Sequence, residues 1–147
     1  MKRRRMPVTI PIDWFDDPRV FVYGTLKPGG LYWPRFCAGR VRAVRGARVR
    51  GRLYDLDAGY PALRIGGTEW VRGVVLDLAG PEVLRGIDRL EGFEPGRAED
   101  RNEYNRRRTE AFDPGGEALG CVWTYEMDLR RIEASGGRLI PEGVWGA

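Results

Sequence analysis

The sequence predicts an α+β fold in which many short strands form a closed or strongly curled sheet, with one good helix beside it. Three observations predict this. Apolar runs are short and rich in β-branched and aromatic residues, as in Val20-Phe21-Val22-Tyr23, and each ends at a turn. Glycine occurs 21 times and proline 10 times among 147 residues, which favours tight turns over long helices. Only residues 81–90 carry a clean helical stripe of apolar side chains. Many strands with one strong helix make an α+β domain, and short strands at close spacing curl or close their sheet.

Taken in order, residues 1–17 precede the first strand and carry Pro7, Pro11, Asp16 and Asp17, so they read as a loosely ordered N-terminal extension. A single domain over 18–147 follows, with no repeat and no linker, long enough to bury a core without staples. Residues 20–23 form the first strand. Residues 30–36 fit either a short helix or an irregular loop. Residues 40–56 hold one or two strands broken near Gly46, with Asp57-Ala58-Gly59 as the turn. Residues 60–65 are extended after Pro61 and stop at Gly66-Gly67, and residues 70–77 form a separate strand. Pro81 suits a first helical position and Gly92 a terminator. Residues 106–112 and 120–125 pair across Asp113-Pro114-Gly115-Gly116, and the tail beyond is read as loop-rich.

Composition excludes several chemistries. Histidine is absent, which removes imidazole bases, His-based triads and His-ligated zinc. Acid–base work near neutral pH then falls to a carboxylate, lysine or tyrosine of shifted pKa, or to the substrate. No cluster of metal ligands stands out in the sequence. Cys37 and Cys121 lack CxxC spacing and read as a reduced pair of a cytoplasmic protein. No apolar run has the length of a membrane helix, and Met1-Lys2-Arg3-Arg4-Arg5 is followed by prolines and Asp13 rather than a signal core. The net charge is +4. Arg40, Arg42, Arg45, Arg48, Arg50 and Arg52 crowd one segment, yet Val41, Ala43, Val49 and Leu53 interleave them. That alternation fits solvated strand faces, and no nucleic-acid-binding motif accompanies it.

Two features point to a site. The first strand runs into Tyr23-Gly24-Thr25-Leu26-Lys27, a glycine turn whose torsions are open to glycine and whose N–H groups can converge on an anion or an oxyanion. On the helix, Val83, Leu84, Ile87 and Leu90 share one arc and Glu91 falls inside it, while Asp88, Arg85 and Arg89 point to solvent. A carboxylate on the buried stripe is expensive, and the helix C-terminus also disfavours negative charge. Desolvation and dipole both raise its pKa, as a general base near neutral pH requires. On geometry alone Glu91 either serves as that base, or leans out from a frayed end, or pairs with an arginine. Glu94, in a polar loop, is the more ordinary carboxylate.

The combination resembles the γ-glutamylcyclotransferase-like family, which includes γ-glutamylamine cyclotransferases and AIG2-like proteins. The pieces that carry the resemblance begin with Tyr23-Gly24-Thr25-Leu26-Lys27, Tyr60-Pro61-Ala62-Leu63 and Gly73-Val74-Val75. They continue through Ile87-Asp88-Arg89-Leu90-Glu91-Gly92-Phe93, Tyr104-Asn105-Arg106, Trp123-Thr124-Tyr125 and Ile140-Pro141-Glu142-Gly143-Val144-Trp145. Their order and spacing over residues 20–146 matter more than any single piece. The resemblance implies a small mixed β-barrel with a few flanking helices. It also implies conversion of a γ-glutamyl amide or peptide into 5-oxoproline and a free amine, without cofactor or metal. Glu91 would be the catalytic carboxylate and Tyr23, Gly24, Thr25 and Leu26 would hold the γ-glutamyl group. Tyr125 would wall the pocket, Tyr60 its rim, and Arg106 would order Glu91 or a substrate carboxylate; against this, Tyr23 and Tyr125 fit core packing, Tyr60 a plain turn, and Arg106 a solvated face. Trp145 reads as a tail anchor. The chain departs from the family in its arginine-rich 97–108 segment and basic extension, which bear on substrate choice. The alternative is a non-catalytic small-molecule-binding or interaction module of the same fold; a third reading is a basic RNA-associated protein. Neither the amine released nor the oligomeric state is written in any motif.

Overall fold

Strand β1 (Arg19–Val22) is buried on both faces, which is why its sequence is a continuous apolar run rather than an alternating one. Phe21 and the following Tyr23 turn into one cluster with Val49, Leu53, Leu63, Val71, Val75 and Val122. Val20 and Val22 turn into a second cluster with Leu76, Leu84, Ile87 and Trp123, where the helix packs on the sheet. The computed structural model describes residues 17–146. The extension expected over 1–17 therefore lies, except for Asp17, outside the described residues. The Asp17 carboxylate accepts hydrogen bonds from Arg19 (2.9 Å) and Arg108 (3.2 Å).

The remaining elements are α1 (Trp33–Phe36), β2 (Val41–Asp55), β3 (Pro61–Leu78), α2 (Pro81–Glu91), β4 (Asn105–Phe112), β5 (Ala118–Glu126), α3 (Leu129–Ala134) and β6 (Arg138–Ile140), with a 3-10 turn at Glu99–Arg101. The sheet order is β3-β1-β5-β4-β2-β6, and β2 also pairs with β3. Five strands thus close into a barrel and β6 adds to β2. The β1–β5 pairing is parallel and the others are antiparallel. The expected closed, mixed barrel with flanking helices is the observed architecture.

Some boundaries differ, for physical reasons. Residues 41–55 form one strand without a break at Gly46, which pairs with Val74. A side chain there would meet only the Pro114 ring at 3.7 Å, so nothing forces the chain apart. The two strands expected on either side of Gly66-Gly67 are one strand, β3. Both glycines have positive φ (109° and 83°), and residues 66–69 bulge out between the pairs Gly51↔Ile65 and Arg50↔Trp70. The tail, expected to be loop-rich, also contains α3 and β6. Helix α3 has six residues and buries only Ile132, too little for a periodic signal.

The arginines of β2 largely occupy exposed faces. Arg48 and Arg50 lie over the Trp70 ring at 4.1 and 3.7 Å, and Arg42 donates to the Ala79 carbonyl. Among the described residues, no helix is long and apolar enough to cross a membrane.

Candidate active site

Helix α2 starts with Pro81, whose missing N–H costs nothing at that position, and stops at Gly92 in the left-handed conformation (φ 71°). Phe93 N–H donates to the Asp88 carbonyl at 2.9 Å, closing the helix end. The helix does not fray at Leu90: Glu91 is its last residue. Val83, Leu84 and Ile87 are buried beneath it as the periodicity requires.

Asp88 corrects the sequence reading. It is buried rather than solvent-facing, and its carboxylate accepts the Tyr125 hydroxyl proton at 2.5 Å and pairs with Arg106 at 3.5 Å. The helical wheel sets Asp88 about 40° from Leu84, on the flank of the apolar arc, so a wider arc would have found it. Arg106 is likewise buried, its guanidinium over the Trp123 ring at 4.3 Å and near Phe93 at 5.5 Å. It is not a solvated strand residue, and it is not among the residues lining the cleft; it pairs with Asp88. Asp88→Ala removes both the acceptor for Tyr125 and the ion-pair partner of Arg106, and is expected to lower stability by about 3 kcal/mol, read as a lowered urea midpoint.

Glu91 faces a cleft lined by Phe21, Val22, Tyr23, Gly24, Thr25, Leu26, Pro61 and Tyr125, about 330 Å³ counting its open mouth. Tyr23, Gly24, Thr25, Leu26, Tyr125 and Glu91 are thereby brought together. Strand β1 delivers the loop: it ends at Val22, and the carbonyls of Gly24 and Thr25 accept from the N–H groups of Lys27 (3.1 Å) and Tyr32 (2.9 Å). Gly24 owes its identity to close approach rather than to unusual torsions. Its φ is not in the left-handed range, but a Cβ there would lie 2.7 Å from the Pro61 ring. The Tyr23 hydroxyl donates to the Tyr125 carbonyl at 2.7 Å, tying β1 to β5 across the floor.

A second chamber of about 490 Å³ shares Thr25 and Glu91 with the first and is completed by Tyr32, Tyr60, Leu90 and Glu103. Tyr60 lines this outer chamber and donates to the Glu103 carboxylate at 2.8 Å. Sequence reasoning missed Glu103 because it lies in a loop without periodicity. What fixes it is the end of α2: Glu103 N–H donates to the Gly92 carbonyl (3.2 Å) and Tyr104 N–H to the Glu91 carbonyl (3.3 Å). Arg97, from the arginine-rich segment, donates to Asn102 (2.6 Å) and to the Gly92 carbonyl (2.9 Å), strapping the same loop down.

The electrostatics of the cleft converge on one group. Burial raises the Glu91 carboxyl to about 8, with the negative charges of Glu103 and Asp88 adding to the shift. Tyr125 is raised well above its usual range by burial and by Asp88. Tyr60 is raised to about 12, chiefly through its hydrogen bond to Glu103. Lys27, lowered by burial, donates to the Trp145 carbonyl at 3.0 Å, and Trp145 packs on the barrel core as a tail anchor. Cys37 is buried, Cys121 is exposed and both are free. Among the described residues no group of three or more metal-ligating side chains is assembled. The arrangement places a carboxyl raised to about 8 beside the Gly24–Leu26 loop.

Residues 20–147 match the family described as Gamma-glutamyl cyclotransferase, AIG2-like. A curated relative, the Gamma-L-glutamyl-butirosin B gamma-glutamyl cyclotransferase of Niallia circulans, is 33% identical over 112 residues, covering 76% of this chain and 69% of the relative. Among solved structures, YkqA from Bacillus subtilis superposes with a TM-score of 0.61 at 20% identity, over 88% of this chain and 39% of that one. The chain thus spans about two fifths of YkqA's length. The uropathogenic E. coli protein c4763 superposes with a TM-score of 0.57 at 22% identity, over 87% of this chain and 91% of that one. These structural likenesses concern the fold. Matched by the family from β1 onward, and a third identical to one curated cyclotransferase, the chain belongs to the Gamma-glutamyl cyclotransferase, AIG2-like family.

Proposed function

We propose that the protein cyclises γ-glutamyl amides, releasing 5-oxoproline and the free amine, with Glu91 as the catalytic residue. The observation that carries this reading is the Glu91 carboxyl raised to about 8 in a cleft it shares with the Gly24–Leu26 loop. A site that only binds gains little from a carboxylate kept so costly.

The substrate's α-amino group arrives as an ammonium. Glu91, in its ionised form, accepts one proton, and the freed amine attacks the γ-carbonyl carbon to form the ring C–N bond. Intramolecular attack has a high effective molarity, so the protein's work is to hold the folded rotamer. Tyr23, Leu26 and Tyr125 wall that space, and Gly24 keeps it open beside Pro61. Backbone N–H groups of residues 24–26 stabilise the oxyanion that develops on the γ-oxygen. Attack leaves two hydrogens on the ring nitrogen. Glu91 gives its proton to the leaving nitrogen and the bond to that nitrogen breaks. Glu91 then takes the second ring-nitrogen proton and passes it to the freed amine, which departs as an ammonium. Every proton that Glu91 accepts is returned, and no external water enters the products.

The test is incubation with a panel of γ-glutamyl amines and peptides, with product identified by mass spectrometry. Appearance of 5-oxoproline and amine in equal amounts supports the reading; a folded protein that yields neither from any member contradicts it. The pH profile adds a second check. Because the base is a carboxyl raised to about 8, kcat/KM should climb with pH towards about 8 and fall again where the substrate's own ammonium ionises. A limb near the ordinary carboxylate range would remove Glu91 from the base role.

A further inference from the structure

The outer chamber lies where the amine half of an amide must sit when its γ-glutamyl half fills the inner cleft, because the two spaces meet at Thr25 and Glu91. Its lining is lopsided. Tyr32, Tyr60 and Leu90 supply ring and methyl surface, and the charged groups among its described lining residues are both carboxyls, Glu91 and Glu103. Arg131, the cation whose field reaches Tyr60, donates to the Asp100 carbonyl at 3.2 Å. Glu103 is also held still. Backbone hydrogen bonds from residues 103 and 104 reach the last residues of α2, and Tyr60 donates to the Glu103 carboxylate at 2.8 Å. Gly92 makes the approach possible, since a Cβ there would stand 3.0 Å from the Glu103 Cβ. Past Leu90 the surface changes sign: the neighbouring groove is lined by Arg35, Arg40 and Arg89, with Glu82.

Resting on the cyclotransferase reading, we propose that Glu103 is a specificity-determining residue that selects leaving amines bearing a second positive charge a short spacer from the reacting nitrogen. An ammonium in the outer chamber would sit against the Glu103 carboxylate and over the faces of Tyr32 and Tyr60. A carboxylate at the same point would face the Glu103 carboxylate and, once Glu91 ionises, a second negative charge. The basic groove beyond Leu90 confines the preference to short spacers. Charge therefore discriminates short diamines from γ-glutamyl peptides, whose leaving group carries an anion close to its nitrogen.

Three γ-glutamyl amides of similar length test this: those of diaminopropane, butylamine and β-alanine, ending in ammonium, methyl and carboxylate. For the wild-type protein, kcat/KM should favour the ammonium amide over the methyl amide by roughly tenfold or more and over the carboxylate amide by more still. Glu103→Gln keeps an acceptor for Tyr60 and should collapse the ammonium-to-methyl ratio to near one. Equal kcat/KM for the three amides in the wild type, or a preference that survives Glu103→Gln, would overturn the proposal while leaving the cyclotransferase reading intact. If none is turned over, calorimetric binding of the same amides decides it: an ammonium preference in wild type lost in Glu103→Gln supports the role, and equal or absent binding rejects it.

Discussion

Glu91→Gln is expected to reduce turnover of any γ-glutamyl amide by roughly three orders of magnitude or more, with KM changed little. Glutamine preserves the volume and one acceptor oxygen but neither takes the ammonium proton nor returns one to the leaving amine. Loss of a positioned acid–base group costs typically 10²–10⁴-fold, and here a single group does both transfers. The same substitution should stabilise the fold. Between the ordinary 4.5 of a glutamate and the value of about 8 in the cleft, the folded protein keeps a proton on Glu91 that the unfolded chain has released. The folded state then binds more protons, so stability falls as pH rises through that window. Glutamine has no such proton. The variant's Tm should exceed wild type by several degrees near pH 8 and coincide with it near about pH 4. Unchanged turnover would remove Glu91 from the mechanism; a pH-independent Tm difference would remove the raised carboxyl.

Gly73→Ala is expected to be the most damaging small substitution in the barrel. Gly73 pairs with Ala47 of β2 and faces β1, where an added Cβ would stand 2.2 Å from the Val22 carbonyl oxygen and 2.9 Å from the Phe21 ring. The oxygen belongs to the backbone, so the strand itself must move. Overpacking of this kind costs about 3 kcal/mol, which for a domain this size lowers Tm by roughly 10 °C. Val22 immediately precedes Tyr23 and the glycine loop, so activity should fall further than stability alone explains. Gly46→Ala is the control: it sits in the paired strand, and its Cβ meets only Pro114 at 3.7 Å. Its Tm should stay within a degree or two of wild type. Equal losses in the two variants would contradict the close-approach account of Gly73.

Local signals gave away those parts of the molecule that depend on local rules. The α2 stripe, Pro81 and Gly92 define a helix by periodicity and capping, and Glu91 stood out because it violated the pattern around it. The inward apolar strands marked a curled sheet. What escaped depended on long-range contacts. Whether Gly46 breaks a strand is decided by Val74 and Pro114, and whether 66–69 interrupts β3 or bulges from it is decided by the register against β2. Asp88 reads as solvent-facing, and Arg106 as ordering Glu91 or a substrate carboxylate or else as a solvated strand face, because neither side chain alone signals burial. Their burial follows from finding each other, with Tyr125 between Asp88 and the cleft. Glu103 carries no pattern at all, and its place beside Glu91 comes from two backbone hydrogen bonds to the end of α2.

The measurement that reaches the central claim most directly is turnover of a γ-glutamyl amide in water enriched in ¹⁸O, comparing wild type with Glu91→Gln. Intramolecular attack predicts unlabelled 5-oxoproline in one-to-one ratio with the released amine from wild type, and neither product from Glu91→Gln at comparable times. Labelled glutamate as the acid product, or unlabelled 5-oxoproline formed equally by both proteins, would contradict it.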